Sequence, residues 1–352
     1  MVENVPRSWI SSRCASSIGS TSRSMNWRSD ARISRSSSGM FRSGTMRLPP
    51  SIRKLPIGRI AHGLCSIASG AMAEREPQPI SVEQMYANGP LTELQIDELL
   101  DESLDPRGPD FLFEVASDLG VDASSRVLDI GSGNGRHVIE LARRFRCRTT
   151  GVEFVWDNLS SGFPDLEDLR ANEPEVGGMI GLAQGSITAL PFRDGTFDLV
   201  WSRDMLIHIA YLRDALAECR RVLRPGGAMV VFQMFATPWL EPGDAERLWP
   251  ALAAVEANTD PDRFEEIVGE AGLEVERREE LRSEWREFLE ESGPGKTSRQ
   301  LLHVARLLRD EERFRELLGD VDYRASVADR LWGVYQMIGK LSPRVFVLKP
   351  RA

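Results

Sequence analysis

Three observations predict that this chain folds as an α/β protein around a mostly parallel sheet. Its 352 residues contain seven short apolar stretches of strand length, most of them separated by segments with helical spacing. One stretch, Arg126–Ala142, combines a buried strand, a glycine-rich turn and the start of a helix. Residues 278–343, before the last strand, are helical by pattern and far too long for a hairpin loop. We therefore expect a helical insert or cap before the last strand.

The beginning of the chain differs in composition from the rest. Its first 70 residues hold ten Arg and Lys54 against Glu3 and Asp30, together with 17 Ser. Such a composition is typical of a disordered segment, or of an organelle transit peptide. It also fits a mis-annotated start, with the natural initiator at Met72. For residues 1–71 we expect disorder or a wrong start rather than targeting.

The remaining residues are acidic, which restricts the partners of the protein. Residues 71–352 carry 33 Lys and Arg against 51 Asp and Glu, so nucleic acid and anionic membranes are unfavourable partners. The four cysteines form no C-x-x-C pair, which indicates a reducing compartment and no metal site. No apolar run approaches the roughly 20 residues that span a bilayer. We expect a cytoplasmic protein, and the oligomeric state stays open.

The other elements follow in chain order. A polar lead-in at 72–90 and an acidic helix at Leu91–Leu104 precede a helix with Leu112, Val115 and Leu119 on one face. Proline and glycine break residues 155–178, so the helix expected there is short or distorted. The later strands are predicted at Arg148–Phe154, Met179–Ala183, Gly195–Trp201, Ala228–Phe235, Leu273–Arg277 and Arg344–Lys349. The core then comprises residues 72–277 and 344–352, with N-terminal lid helices.

The glycines within Arg126–Ala142 indicate a ligand-binding loop. Gly131, Gly133 and Gly135 allow a sharp turn and a close approach of a ligand to the backbone. The following helix presents free N–H groups to that ligand. A dinucleotide fingerprint would place its third glycine one residue after Gly135. An acidic residue, Asp129, lies two residues before the first glycine. A plain strand-to-helix turn is the structural alternative.

The pattern D-x-G-x-G-x-G resembles motif I of the class I S-adenosylmethionine (SAM) methyltransferases, and the chain is similar to the type 11 group. The resemblance extends from roughly Arg126 to Lys349. It includes G-V-E at the end of the second strand, similar to motif II, and the L-R-P-G-G turn at 223–227. It implies a Rossmann-like, seven-stranded class I methyltransferase core with SAM as the cofactor.

The resemblance also implies which residues bind the cofactor. Asp129 would hold the amino end of SAM, and Glu153 would accept both ribose hydroxyls unless it is only an exposed strand-end carboxylate. Ser186 stands where the family has an adenine-binding Asp, and Ile187 would pack against the adenine. The complete implied set is Asp129, Gly131, Ser132, Gly133, Gly135, Glu153, Phe154, Ser186, Ile187 and Arg203.

Candidate catalytic residues follow the fourth strand. Asp204 and His208 are four residues apart, so on a helical turn their side chains would share one face. A carboxylate beside an imidazole holds its tautomer and favours its protonation, which suits a proton acceptor. The pattern predicts His208 as a base oriented by Asp204. A packing or surface role of a single histidine is the alternative.

The segment S-R-D-x-x-x-H is also similar to one in phosphoethanolamine-type N-methyltransferases, which pair this histidine with a tyrosine on an N-terminal lid. Tyr86 lies about where that tyrosine would fall and is the third candidate catalytic residue. The basic phosphate-binding residues of that subgroup are not evident, and Phe235, Trp239 and Trp249 occupy the region instead. We therefore expect a more apolar small acceptor.

The resemblance implies an enzyme that transfers the methyl group of SAM to a nitrogen, oxygen or carbon atom of a small molecule by in-line displacement. One alternative is a SAM-binding regulator without catalysis, against which Asp129, the glycines and Glu153 argue. The other is an NAD-dependent oxidoreductase, which the early Gly135 and the L-R-P-G-G turn disfavour. Amino-methylating nucleic-acid enzymes carry a D/N-P-P-Y-like segment after strand 4, where this chain has W-S-R-D.

Overall fold

The computed structural model describes residues 79–87, 89, 91–293 and 295–351. The expectation of a disordered or wrongly assigned start at residues 1–71 lies outside the described residues. The described chain falls into two compact units, residues 79–102 and residues 103–351. Within the described ranges, no helix is long and apolar enough to cross a membrane.

The smaller unit contains two short helices, α1 (Val82–Tyr86) and α2 (Glu93–Leu100). Each begins with a capping box. The side chain of Ser81 or Thr92 accepts the backbone N–H of the glutamine three residues later, and the side chain of that glutamine accepts the backbone N–H of the Ser or Thr. Neither helix has a buried residue. Helix α2 lies within the predicted Leu91–Leu104 segment and is shorter at both ends.

The larger unit is built around one sheet of seven strands. Their order is β3-β2-β1-β4-β5-β7-β6, and only β7 is antiparallel to its two neighbours. The predicted Rossmann-like, seven-stranded α/β fold is confirmed. The strands are β1 (Arg126–Ile130), β2 (Arg148–Glu153), β3 (Ile180–Gln184), β4 (Phe197–Arg203), β5 (Leu223–Ala236), β6 (Leu273–Glu280) and β7 (Leu341–Pro350).

Helices cover both faces of the sheet and fill the connections. The broken segment 155–178 forms three short helices. The second and the third each have a proline, Pro164 and Pro174, in their first two positions, where proline favours the start of a new helix. The helices are α3 (Phe111–Asp118), α4 (Arg136–Phe145), α5 (Trp156–Ser161), α6 (Phe163–Asn172), α7 (Pro174–Gly177), α8 (Leu212–Val222), α9 (Pro242–Ala251), α10 (Pro261–Glu270), α11 (Glu284–Glu291), α12 (Lys296–Arg309), α13 (Glu311–Leu318) and α14 (Asp320–Met337). Short 3₁₀ turns occur at Leu206–His208 and Glu256–Thr259.

The central strands have almost uninterrupted apolar sequences because both faces of the sheet are covered by helices. Leu128 and Val200 face a core that includes α8 and α10. Their neighbours Val127 and Leu199 face the opposite core, which includes α3. Strand β5 is buried from Ala228 to Phe235 and is therefore as central as its sequence predicts.

Residues 281–340 form a helical insert between β6 and β7, as the pattern predicts. Helices α12 and α14 pack with α9 into a separate apolar core that includes Val304, Leu331 and Trp332. The strands extend further than predicted, since β6 continues to Glu280 and β7 already begins at Leu341. The backbone N–H of Leu281 donates to the Pro343 carbonyl over 3.0 Å, so the insert leaves and rejoins the sheet at neighbouring points.

Candidate active site

A cavity of about 490 Å³ opens at the C-terminal ends of β1, β2 and β4. The strand order reverses between β1 and β4, and ligands of open α/β sheets bind at such a point. The cavity brings together most of the predicted site residues, from sequence positions far apart. Those that line it are Asp129, Gly131, Ser132, Gly133, Glu153, Phe154, Ser186, Ile187, Arg203, Asp204 and His208.

The loop after β1 has a backbone that requires its glycines. Gly131 and Gly135 have φ angles of 67° and 82°, in the left-handed region that favours glycine. A Cβ on Gly131 would also lie 2.7 Å from the Met205 side chain. Gly135 does not line the cavity and instead caps the N-terminus of α4. The loop is thus held between β1 and the helix, with its backbone towards the cavity.

Ser132 in this loop has a side chain that lacks a protein partner. Its Oγ is buried and forms no hydrogen bond with the described residues. A Cβ on Gly151 in β2 would lie 2.6 Å from that oxygen, so the glycine makes room for it. A buried hydroxyl without a partner costs free energy, and a polar ligand beside it would offset this cost.

Glu153 is buried, which contradicts its reading as an exposed strand-end carboxylate. Its Oε2 accepts the N–H of Gly133 over 3.0 Å, and its Oε1 accepts the N–H of Val155 over 2.9 Å. A carboxylate has about four lone-pair sites. Each oxygen can therefore accept a further donor, such as one of two vicinal hydroxyls.

Asp129 is only 3% exposed at the end of β1. Burial, and then the nearby carboxylate of Glu153, raise the pKa of Asp129 well above its usual range, although Arg203 acts in the opposite direction. Two carboxylates held together away from water favour a cation between or beside them. An ammonium group bound here would stabilise the ionised form of Asp129.

Arg203 is the last residue of β4 and lines the cavity. Its Nη1 is 3.0 Å from His137 Nε2, and its guanidinium lies 5.3 Å from the Trp285 ring centre. Burial and the charge of Arg203 lower the pKa of His137 well below its usual range. Arg203 therefore places a positive charge at this wall of the cavity and disfavours a second one on His137.

The segment from Asp204 to His208 differs from the prediction. Asp204 has a φ of 54°, and its N–H donates to the Phe232 carbonyl of β5 over 2.7 Å. Because its backbone still bonds to the sheet, the turn begins only at Leu206, and the two side chains do not share one helical turn. The expectation of one helical face is wrong. Within the described chain, Asp204 and His208 form no hydrogen bond, although their charges interact through space.

A backbone carbonyl orients His208 instead. Its Nδ1 lies 3.1 Å from the Ala253 carbonyl oxygen. A carbonyl can only accept, so Nδ1 carries the hydrogen and the neutral ring has its lone pair on Nε2. Ala253 itself has an unusual positive φ of 52°. Residues held in this region persist where the surrounding structure fixes them, often at functional sites.

Asn258 holds the backbone on both sides of His208, and sequence reasoning missed it. Its buried side chain donates to the carbonyls of Leu206 and Ile209 over 2.9 and 2.8 Å. The Gln233 side chain of β5 donates to the Asn258 carbonyl over 2.8 Å. Nothing in the local sequence pattern of residues 254–260 indicates this role, because it depends on contacts about 50 residues apart.

The remaining predicted residues are less constrained. The Ser186 hydroxyl lies 2.8 Å from that of Thr188, Ile187 is buried, and Phe154 is 72% exposed at the rim. Tyr86 lies on α1 in the smaller unit and is 77% exposed. Its pairing with His208 stays a prediction.

The expected apolar residues do not line the cavity. Phe235 packs in the core against Phe264 and Phe346, and Trp239 is 75% exposed. Trp249 is buried against Trp332. The prediction that Phe235, Trp239 and Trp249 shape the acceptor region is therefore wrong. The helical insert supplies this wall instead, through Trp285, Arg286, Leu289, Asp329, Trp332 and Gln336.

Comparisons with known proteins agree with this arrangement. Residues 128–231 match the family model described as "Methyltransferase domain". A 27-O-demethylrifamycin SV methyltransferase of Amycolatopsis mediterranei is 30% identical over 47% of the chain. A sarcosine/dimethylglycine N-methyltransferase of Halorhodospira halochloris is 34% identical over 32% of the chain. The chain spans 60% and 38% of the lengths of these two relatives.

A solved structure shows the same fold. The phosphoethanolamine N-methyltransferase 2 of Haemonchus contortus, in complex with phosphomonomethylethanolamine and S-adenosylhomocysteine, superposes with a TM-score of 0.50 at 19% identity. The match covers 71% of this chain and 54% of the other. At this identity the likeness concerns the fold alone.

Proposed function

We propose that the chain contains a class I SAM-dependent methyltransferase domain and transfers the methyl group of SAM to a nitrogen, oxygen or carbon atom of a small-molecule acceptor. The observation that carries this proposal is the grouping of Asp129, Glu153 and the glycine loop around one cavity at the switch point of the sheet. The related proteins support a small-molecule acceptor by their names. Those names include both O- and N-methyltransferases, so the acceptor atom stays open.

The residues of the cavity fit SAM in charge and hydrogen bonding. Asp129 would hold the amino group, and Glu153 would accept the two ribose hydroxyls with its free lone pairs. Ser132 Oγ, which lacks a protein partner, is available to the methionine part. Ser186 and Ile187 would meet the adenine, one by hydrogen bonding and the other by packing. When bound, SAM supplies a methyl group on a sulfonium, which a nucleophile attacks in line.

His208 would act as the base for an acceptor that must lose a proton. The carbonyl of Ala253 supports this role because it leaves the lone pair of the neutral ring on Nε2. Asn258 would serve as a positioning residue, since it fixes the backbone on either side of His208. Asp204 would act on the acceptor rather than on the histidine, because its Oδ1 is buried and has no partner among the described residues.

The cofactor can be tested without knowing the acceptor. S-adenosylhomocysteine at about 100 times its Kd should stabilise the protein by about 2.7 kcal/mol. For a unit of this size, that is a rise in Tm of about 5–10 °C. NAD and NADH at the same concentrations should leave Tm unchanged. A Tm that rises with NAD and not with S-adenosylhomocysteine would refute the proposal.

Turnover is tested by a screen of small metabolites with SAM that carries an isotope-labelled methyl group. Mass spectrometry of the labelled product identifies the acceptor atom. We expect at least one acceptor to gain one labelled methyl group. Binding of S-adenosylhomocysteine with no transfer to any acceptor would instead favour a SAM-binding protein without catalysis.

Glu153→Gln should weaken the binding of S-adenosylhomocysteine about 10–100-fold, as expected for the loss of hydrogen bonds to a charged acceptor. The substitution keeps the shape but places an amide group where Gly133 and Val155 point their donors. Isothermal titration calorimetry measures the change. Glu167→Gln, at an exposed position of α6, is the matched control and should bind normally. Unchanged affinity of Glu153→Gln would remove this residue from the ribose site.

A further inference from the structure

The wall of the cavity that the insert supplies contains a buried arginine. Arg286 belongs to α11 and is only 7% exposed, although arginine is rarely buried without a partner. It lines the cavity together with its neighbour Trp285 and with Trp332 of α14. Desolvation lowers the pKa of Arg286 to about 10, and a guanidinium in such a place requires a specific reason.

The guanidinium of Arg286 is held by polar side chains of two other helices of the insert, α12 and α14. Arg286 Nε donates to the Gln336 side chain over 2.8 Å, and Nη1 lies 3.5 Å from the side-chain oxygen of Gln300. Gly333 in the middle of α14 provides the space. A Cβ at this position would lie 2.1 Å from Gln300 Oε1 and 2.9 Å from Arg286 Nη1. A glycine inside a helix costs about 1 kcal/mol relative to alanine, and here it allows the charged group to sit against the helix.

Neither amide partner neutralises the charge of Arg286. The carboxylates of Asp204 and Asp329 act on it through space, and Arg203 opposes them. Lys296 at the start of α12 adds a further positive charge. Its pKa is lowered to about 8, first by burial and then by Arg286, Arg136 and Arg203. Arg286 is thus a buried cation in the wall of the cavity, and a carboxylate bound to its guanidinium would offset the cost of its desolvation.

We propose that Arg286 binds a carboxylate group of the methyl acceptor and so determines which acceptors are used. The planar guanidinium fork matches a carboxylate, and the rest of the acceptor would contact the aromatic faces of Trp285 and Trp332. A doubly charged phosphate fits less well, because Asp204 and Asp329 are also near Arg286. This inference rests on the proposed function, since it assigns the acceptor half of the same cavity.

The test uses the protein saturated with S-adenosylhomocysteine and three probes, benzoate, benzamide and phenyl phosphate. Benzoate and benzamide have nearly the same shape and differ in charge. By calorimetric titration, benzoate should bind the wild-type protein at least about tenfold more tightly than benzamide or phenyl phosphate. In Arg286→Met this preference should fall to less than about twofold. Gly333→Ala should reduce it as well, because the guanidinium is kept but displaced.

The controls separate the alternatives. Arg299→Met removes an exposed positive charge of α12 and should keep the preference for benzoate. Arg286→Lys keeps the positive charge but lacks the planar guanidinium, so it should retain only part of the preference for benzoate. This variant keeps the test valid if Arg286→Met does not fold. Equal binding of benzoate and benzamide by the wild type would refute the proposal, and tighter binding of phenyl phosphate would refute the carboxylate. A loss of S-adenosylhomocysteine affinity in Arg286→Met equal to the loss for benzoate would assign Arg286 to the cofactor. If S-adenosylhomocysteine does not bind the wild type, the proposed function itself fails.

Discussion

Replacing His208 by asparagine should lower kcat about 10²–10⁴-fold, the range that general-base catalysis contributes, and leave the Kd of S-adenosylhomocysteine within about twofold. Asparagine can still donate to the Ala253 carbonyl, so the turn that carries residue 208 should stay in place. It cannot take a proton from the acceptor. Steady-state kinetics with an acceptor found in the screen, together with calorimetry for the cofactor product, measure the two effects separately.

His303→Asn is the matched control for this prediction. His303 lies on α12 and does not line the cavity, so its replacement should leave kcat unchanged. A His208→Asn enzyme with wild-type turnover would mean that the acceptor needs no base and that alignment of the reactants suffices. Equal losses in turnover and in cofactor affinity would mean that the substitution disturbs the fold of the site.

Asp129→Asn should have two opposite effects, weaker cofactor binding and a more stable empty protein. The affinity for S-adenosylhomocysteine should fall about 10–100-fold, because a neutral amide does not compensate the positive charge of the ligand's ammonium group as a carboxylate does. The Tm of the ligand-free protein should rise by about 2–4 °C, as expected for about 1 kcal/mol in a unit of this size. The reason for the rise is that burial and Glu153 both oppose ionisation of Asp129.

The pH dependence gives this prediction a definite sign. The pKa of Asp129 is raised in the folded protein, so its charge destabilises the fold at high pH and not below the unfolded pKa of about 3.9. The Tm difference between Asp129→Asn and wild type should therefore be constant at high pH. It should shrink as the pH falls below the raised pKa of the folded state. A difference that grows towards acid pH, or a less stable variant at every pH, would contradict this account of the site.

The part of the cavity that we assign to the cofactor could be predicted because its signals are local. The spacing of Gly131, Gly133 and Gly135 sets a turn directly after an apolar strand, and Glu153 ends the next strand. Each position follows from a short run of sequence, since parallel strands bring their C-terminal ends to one edge of the sheet. The seven-stranded sheet was expected from the resemblance to the class I methyltransferases.

The part that we assign to the acceptor could not be predicted because its geometry depends on distant contacts. Arg286 fits into the cavity wall only because Gly333, 47 positions later, leaves space beside it. Phe235 and Trp249 were wrongly expected in the acceptor region. The sequence position of an aromatic residue near a strand end does not indicate whether its side chain faces the core or the cavity. The conformation of Asp204 was missed because its hydrogen bond to β5 competes with the helical turn.

The short separation between the two ends of the helical insert has a consequence for how such proteins diversify. Leu281 and Pro343 are joined by a backbone hydrogen bond, so the 61 residues between them form a closed loop on an unchanged sheet. The entropy of closing such a loop rises by only about 0.6 kcal/mol for each doubling of its length. The closing entropy alone therefore sets little limit on the length of this segment. One wall of the cavity therefore belongs to a segment of variable length, whereas the loop after β1 and the strand ends lie outside that segment.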